Sequence, residues 1–301
     1  MNMLKKEKIA ILVCAHKPDE HIRNYPPYKA IQVGAALHPE MDLGYLKDNV
    51  GENISEKNPM YCELSAIYWG WKNIKKVEYL GLAHYRRYFD IYINETNVDK
   101  LMKGYDMMVV KRYKTVDFSF NKRGVTYATS QEDFWLYIDT FLYMRPEYKS
   151  EIIDYFVNCN KYTPFTMFLA KKEIYDDFCE FIFPVFFELE KRIPKHPYRR
   201  QNRFMAYFGE WTLGLYIYCK HLKVKRVPYV MLGDNCNHTP VVKYSVYRLV
   251  IKNLKYYLKY TKAFLRRKKA KLLFPDDIKV GLINDGYELK GLESLYENNL
   301  N

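Results

Sequence analysis

Three stretches of the chain gather the side chains best suited to polar chemistry. In Tyr79-Leu-Gly-Leu-Ala-His-Tyr-Arg-Arg-Tyr-Phe89 an imidazole and two guanidinium groups follow an apolar run without a break. Each guanidinium offers paired N–H donors that match phosphate oxygens, so Arg86 and Arg87, flanked by His84 and Tyr85, suit a diphosphate. The same residues also suit a surface turn in which arginines stack on tyrosines. Ile9-Ala-Ile-Leu-Val-Cys-Ala15 likewise delivers His16 and Lys17. Glu210, between Gly209 and the apolar segment Trp211 to Tyr218, suits a helix start, where a glutamate complements the helix dipole. Glu63, early in a helix, suits a cap. His238, in Asp234-Asn-Cys-Asn-His238, suits a ligand or diphosphate contact, or a loop cap. Trp69, Trp71 and Trp211 have rings that stack on sugars, and at least two of them are expected to be mostly core.

No Walker A loop, G-x-G-x-x-G, G-x-S-x-G or H-E-x-x-H occurs, nor the motif set of a protein kinase. Nucleotide hydrolase, dehydrogenase, esterase and metalloprotease chemistry therefore has no support. What remains are polar clusters at strand ends, where open α/β sheets bind ligands.

The elements that must carry these clusters follow from pattern. Ile9–Ala15 is continuously apolar and predicts a buried, parallel strand. Asn58-Pro59 predicts a helix start, with Asn58 as N-cap, Pro59 at the first helical position and Glu63 in the early turns, running to about Asn73. Residues 77–83 predict a second buried strand and 106–110 a third. Ser130 with Asp133 predicts a capped helix to about Met144, followed by a helix from about Pro146 to Asn158. Residues 165–170 read as strand, and 171–192 as a long helix that Pro184 should kink or interrupt. Residues 202–221 are expected to be mostly helical, and 224–232 strand-like around Pro228. Strands alternating with helices predict an α/β domain with a largely parallel sheet.

Composition narrows the partners. The aromatic share is 17%, with 30 Tyr among 301 residues; rings in such number fill cores as well as line carbohydrate and nucleobase sites. The formal charge of +13 points to an anionic partner: nucleic acid, phospholipid or phosphorylated substrate. That charge is unevenly spread. From Asn235 to Phe274 there is no acidic residue but 11 Lys and Arg. Arg248, Lys252, Lys255, Lys259, Lys262 and Arg266 step by four and three along one helical face, beside an apolar series through Val250, Leu254, Leu258 and Leu265. This predicts a basic amphipathic helix that docks on an anionic membrane surface. The same helix makes a nucleic-acid-binding protein the competing class, although no nucleic-acid motif occurs. A non-catalytic scaffold is a third reading. The six cysteines are dispersed with no C-x-x-C pair, which fits a reducing cytoplasm. No apolar run reaches the roughly 20 residues that cross a bilayer, and no signal-peptide pattern follows the basic start. The protein is expected to be neither exported nor membrane-spanning.

Val13-Cys-Ala-His-Lys17, Gln32-Val-Gly-Ala35, Gly51-Glu-Asn-Ile-Ser-Glu-Lys-Asn58, Tyr61-Cys-Glu-Leu64, Tyr68-Trp-Gly-Trp-Lys-Asn73 and Gly81-Leu-Ala-His-Tyr-Arg-Arg-Tyr-Phe89 occur in one order. With Met167-Phe-Leu-Ala-Lys-Lys-Glu173 and the stretch from Arg203 to Glu210, this series resembles the DUF4422 family of bacterial capsular and exopolysaccharide glycosyltransferases over roughly residues 8–235. The resemblance implies a GT-A-like nucleotide-diphospho-sugar transferase fold over residues 1–240, leaving 241–301 for the basic helix and tail. It implies a UDP-sugar donor, galactose in pyranose or furanose form, and a lipid-linked repeat-unit acceptor, with inversion at the anomeric carbon. It implies a cytoplasmic protein, peripheral on the inner face of the bacterial plasma membrane. By the same resemblance His16 and Lys17 lie near the nucleotide, Asn53, Lys57 and Asn58 near the donor, and His84 to Arg87 where many GT-A enzymes carry an Asp-x-Asp motif for manganese or magnesium. Glu210 resembles the family's glutamate in its stretch and is the candidate general base, with Glu63 the second candidate. No convincing Asp-x-Asp follows a strand here, so the arginines are expected to neutralise the leaving diphosphate.

Overall fold

The computed structural model describes residues 7–111, 113–114, 129–159, 161–193, 202–233, 251, 254, 258 and 276–292. The chain divides into two units. The first comprises residues 1–112, 163–187 and 196–233; the second comprises 113–162, 188–195 and 234–301. The second unit thus takes a central segment of the chain as well as the tail, where sequence suggested one boundary near 240.

The first unit is built on a nine-stranded sheet. Strand β1 (Ile9–Ala15) is buried at every position, as its apolar run requires. It pairs in parallel with β2 (Tyr28–Gln32) on one side and β4 (Tyr79–His84) on the other, and β3 (Leu46–Lys47) continues beyond β2. Past β4 come β9 (Phe168–Lys171), β6 (Met107–Val110) and β10 (Val224–Val227). Of these, β9 runs antiparallel to both neighbours and β10 is parallel to β6, so the sheet is largely parallel, with β9 reversed within this row. Gly81 marks the crossing of β4 and β9: a Cβ there would lie 2.5 Å from the Phe168 carbonyl oxygen, so only glycine lets the strands approach. Beyond the β4 end, β5 (Arg87–Phe89) folds back on His84 and pairs with β11 (Tyr229–Met231).

Helices cover this sheet. The segment expected as one helix from Asn58 is two, α1 (Asn58–Tyr61) and α2 (Leu64–Asn73). The break falls at Cys62, whose φ of 47° lies in the left-handed region. Asn58 is therefore the first helical residue, with Lys57 as N-cap, and Glu63 becomes the N-cap of α2. Helix α3 (Val98–Met102) precedes β6. Helix α6 (Lys172–Arg192) runs through Pro184 without interruption, the proline being placed on its exposed face. Helix α7 (Phe204–Cys219) is apolar nearly all round and mostly buried. Phe165 and Thr166, expected to begin a strand, lie instead in a tight 3-10 turn over residues 164–166, both at positive φ.

The second unit pairs β7 (Tyr113–Lys114) with β8 (Lys161–Tyr162) and holds α4 (Gln131–Met144), α5 (Lys149–Asn158) and α8 (Asp276–Asn284). Ser130 caps α4, its Oγ accepting the Asp133 N–H at 3.1 Å. Phe134, Trp135, Tyr137, Phe141 and Phe156 form an edge-to-face cluster, a core use of the aromatic composition. Asp139, fully buried in α4, accepts N–H groups of Lys290, Gly291 and Leu292 at 3.1, 2.8 and 2.6 Å and an Arg192 N–H at 2.7 Å. Residues near the end of the chain are thereby fastened back onto α4. The basic series Arg248, Lys252, Lys255, Lys259, Lys262 and Arg266 lies outside the described residues, as does His238.

Candidate functional site

The β1–β4 register aligns Cys14 with His84, so the segments leaving both strands emerge side by side. His16 and Tyr85 meet there edge to face, ring centroids 5.3 Å apart. Partial burial, then Lys17, Arg203 and Arg86, lower the His16 pKa. Arg86 donates to Asp19 through Nε at 2.8 Å and Nη2 at 2.7 Å. Arg87 lies with its guanidinium carbon 4.5 Å from the Phe165 ring centroid, and its buried Nε has no hydrogen-bond partner among the described residues. The segment expected to carry His238 leaves β11 at Gly233, where a Cβ would lie 3.5 Å from both the Arg86 side chain and the His21 ring.

The 164–166 turn joins the strand ends to the helices. His84 Nε2 lies 2.6 Å from the Phe165 carbonyl oxygen, an acceptor only, so this nitrogen carries the hydrogen. Burial, with Arg87 and Arg203 nearby, pushes the His84 pKa down to about 4, so the ring is neutral at pH 7. The Phe165 N–H donates to the Glu210 carboxylate. Left-handed backbone at two successive non-glycine residues is costly and tends to persist where the surroundings dictate it. Here it turns the N–H toward Glu210 and the carbonyl toward His84.

Glu63 and Glu210 are both withdrawn from water. Burial pushes the Glu63 carboxyl up to about 7 against the opposing pull of Arg203 and Arg87. Burial and then the charge of Glu63 push Glu210 up to about 7 as well. Their proximity follows from helix packing. A Cβ at Gly209 would lie 3.0 Å from Leu64 Cδ2, so glycine allows the turn before Glu210 to seat on the residue after Glu63. Arg203, preceding α7, donates through Nε to Cys62 Sγ at 3.0 Å and faces both carboxylates.

The loop expected to touch the donor is anchored by Asp48, a fully buried carboxylate. It accepts from the Gly34 and Ala35 N–H groups at 3.0 and 3.1 Å and from the Ser55 and Ser65 hydroxyls at 2.5 and 2.8 Å. Asn58 donates to the Cys62 carbonyl and the Ser65 hydroxyl, both at 2.9 Å, and so braces the α1–α2 break. Asn53 bridges the Gly51 carbonyl and the Ser55 N–H. Lys57 lies 5.9 Å from the Phe187 ring centroid. Trp69 is buried and donates to the Val50 carbonyl, while Trp71, stacked on Phe183, and Trp211 are half-buried.

The structure thus gathers His16, Tyr85, Arg86, His84, Arg87, Glu63 and Glu210, with Lys17 at the exposed rim. Sequence reasoning did not single out Arg203, Asp19 or the Phe165–Thr166 turn. Arg203 had a signal, a cation just before an apolar helix with a glutamate inside it; the Asp19–Arg86 pair had none. Among the described residues no three His, Cys, Asp or Glu side chains gather as a metal-binding group. The donor set at these strand ends therefore does not fit a GT-A metal site, and no step below is routed through a metal.

A largely parallel α/β sheet of GT-A-like type, with cations and a buried acid pair at its strand ends, is the class that fold and site define. The chain belongs to the DUF4422 family, described as a domain of unknown function, whose model matches residues 10–221. It is similar to the apo structure of the WbbM bifunctional glycosyltransferase, with a TM-score of 0.69 and 25% identity, over 75% of this chain and 46% of that one. The chain thus spans about half the length of that protein. No curated protein sequence matches it.

Proposed function

We propose that this protein is a glycosyltransferase that moves a sugar from a nucleoside-diphosphate donor onto a glycan acceptor, with inversion. The observation that carries the reading is an arginine at the end of the parallel strands, Arg87, whose buried Nε has no hydrogen-bond partner among the described residues, near the Glu210 carboxylate of α7. In the proposed step the acceptor oxygen forms a bond to the anomeric carbon. The bond from that carbon to the β-phosphate oxygen breaks, and its electron pair leaves on the diphosphate. The acceptor proton passes to Glu210, whose raised pKa suits a base working near pH 7. Arg87 stabilises the charge that develops on the diphosphate, with His16, Lys17 and Tyr85 toward the nucleotide.

The finer assignment is a UDP-sugar carrying galactose, pyranose or furanose, and a lipid-linked repeat unit of capsular polysaccharide, exopolysaccharide or O-antigen. The similarity to a glycosyltransferase and the family resemblance in the sequence support it. A lipid-linked acceptor lies at a membrane, and here two features support peripheral docking on the anionic inner face of the bacterial plasma membrane. Residues 235–274 carry 11 cations and no acid. Leu254 and Leu258, one turn apart, are 59% and 57% exposed. Among the described residues no helix is long and apolar enough to cross a membrane.

A thermal-shift panel of UDP-, GDP- and CMP-sugars with the full-length protein, with and without manganese, followed by nucleotide-release assays, tests the reading. UDP-galactose should raise Tm, and UDP should be released when lipid-linked acceptor is added. No stabilisation and no turnover by any nucleotide sugar would overturn it.

A further inference from the structure

We infer that Phe165 is a positioning residue for Arg87: its ring holds the guanidinium at the ends of the parallel strands by its π-face, and so keeps that cation's charge for a diphosphate. Its role rests on the proposed transfer reaction, while the ring contact stands on geometry.

Arg87 and Tyr229 share a face of the β5–β11 ribbon. In that register Arg87 lies opposite Met231 and Phe89 opposite Tyr229. Alternate residues of a strand point the same way, so Arg87 and Tyr229 are diagonal neighbours, within reach of one aromatic ring. The half-buried Phe165 ring meets both. Its centroid lies 4.5 Å from the Arg87 guanidinium carbon and 5.1 Å from the centroid of the Tyr229 ring, which meets it edge to face at 74°. Tyr229 thus braces the ring on which Arg87 rests.

The backbone that aims the ring is unusual. Phe165 has φ 70° and ψ 6°, and Thr166, with a fully buried and β-branched side chain, has φ 49°. Such a conformation is costly for either residue and persists where the surroundings dictate it. Here the Phe165 carbonyl accepts the His84 Nε2–H at 2.6 Å, and His84 pairs with Arg87 across the β4–β5 corner. Phe165 is therefore tied to one corner twice, by its carbonyl through His84 and by its ring through Arg87.

What the ring supplies is orientation without neutralisation. A π-face attracts a guanidinium through its quadrupole but carries no negative charge to cancel the cation. Arg86, one residue earlier, shows the alternative: the Asp19 carboxylate accepts from its Nε and Nη2 at 2.8 and 2.7 Å and balances its charge. The buried Nε of Arg87 has no partner among the described residues. Of two adjacent arginines, the one held by a ring is the one left to meet an anion, and Phe165 acts through it.

Calorimetric titration of UDP into the full-length protein tests this with Phe165→Leu, Phe165→Tyr, Arg87→Ala and the Phe165→Leu, Arg87→Ala double variant. Phe165→Leu keeps apolar bulk and loses the π-face, so UDP affinity should fall about 3- to 10-fold, the range of a cation–π contact. Phe165→Tyr keeps a face and should stay within about twofold of wild type. In the Arg87→Ala background, Phe165→Leu should cost no more than about twofold further, because a ring that acts through Arg87 has nothing left to position. Unchanged affinity in Phe165→Leu overturns the inference. So does an equal loss in both backgrounds, or a Phe165→Tyr protein that binds UDP as weakly as Phe165→Leu. If Phe165→Leu does not fold, trifluorophenylalanine in place of Phe165 keeps the shape and withdraws charge from the ring face. It should then weaken UDP binding, and wild-type affinity would overturn the inference. Coupling of the two residues in a protein that binds UDP but transfers no sugar removes the transfer reading and leaves the positioning of Arg87 standing. Turnover without coupling does the reverse, and a wild-type protein that binds no UDP overturns both.

Discussion

Asp19 grips Arg86 through two of its donors, Nε at 2.8 Å and Nη2 at 2.7 Å, across 67 residues of sequence. Arg87, its neighbour, points instead across the Phe165 ring, and its buried Nε finds no partner among the described residues. Two adjacent arginines that read as equivalent in the sequence are therefore not equivalent in the protein. Asp19 already balances one charge, and it is itself held ionised by the His21 N–H and by Arg86.

The consequence is an asymmetric effect on donor binding. Arg87→Ala should weaken nucleotide-sugar affinity about 10- to 100-fold, the range of a charge-assisted hydrogen bond to phosphate. Arg86→Ala should cost less affinity and lower thermal stability instead, because it leaves Asp19 without its partner. Calorimetric titration of donor into both variants decides, and equal affinities for wild type and Arg87→Ala would remove Arg87 from the site.

Glu210→Gln keeps the shape of the side chain and removes the base. Donor affinity should stay within about threefold of wild type, while kcat falls about 10²- to 10⁴-fold, the contribution of a positioned general base. A near-wild-type kcat would reduce Glu210 to a half-buried residue in the interior of α7.

Stability should carry the signature of the same acids. The Glu63 pKa is raised from 4.5 to about 7 on folding, so the folded protein binds that proton more tightly than the unfolded chain. The stabilisation it contributes is complete below about pH 4.5 and is lost as pH rises through 7. A neutral isostere escapes this loss. Glu63→Gln should therefore gain on wild type between pH 5 and pH 8, by on the order of 2 kcal/mol. His84 has the opposite sign. Its pKa falls from 6.5 to about 4, so its contribution is present above 6.5 and is lost as pH falls through 4. Calorimetry at pH 5 and pH 8 checks the first claim, and a Tm difference identical at both pH values would contradict it.

What could be read from the sequence was what local pattern dictates. Ile9–Ala15 is apolar throughout and is β1 to the residue, and Ser130 and Asp133 make the expected cap. Strand β2, Tyr-Lys-Ala-Ile-Gln, was not seen, because five residues with one charge and one amide give neither alternation nor a continuous apolar run. The α1–α2 break was hidden because it rests on a left-handed Cys62, not on the glycine or asparagine that usually signals such a turn. In the site, the strand-end residues His16 and His84 to Arg87 were legible from the apolar runs before them. Arg203, Asp19 and the Phe165–Thr166 turn act through contacts distant in sequence, which no local pattern encodes.

The last expectation concerns attachment to the membrane. Lys and Arg at helical spacing beside an aliphatic series suit an interfacial helix, and each cation near an anionic surface contributes about 1 kcal/mol. Deleting the C-terminal region is a poor test, because Asp139 and Arg192 are both satisfied by backbone groups from residues 288–292. Removing those residues would leave a buried carboxylate short of three donors, and loss of binding could then reflect unfolding. The cleaner variant is the full chain with Arg248, Lys252, Lys255, Lys259, Lys262 and Arg266 all replaced by Gln. Wild type should float with liposomes containing anionic phospholipid at low salt and be released as salt rises past physiological strength, where screening shortens the reach of the surface charge. The six-fold variant, folded by calorimetry, should remain at the bottom of the gradient. Equal flotation of the two proteins would show that these cations do not hold the protein to the membrane, and binding to neutral liposomes alone would assign attachment to Leu254, Leu258 and their apolar neighbours instead.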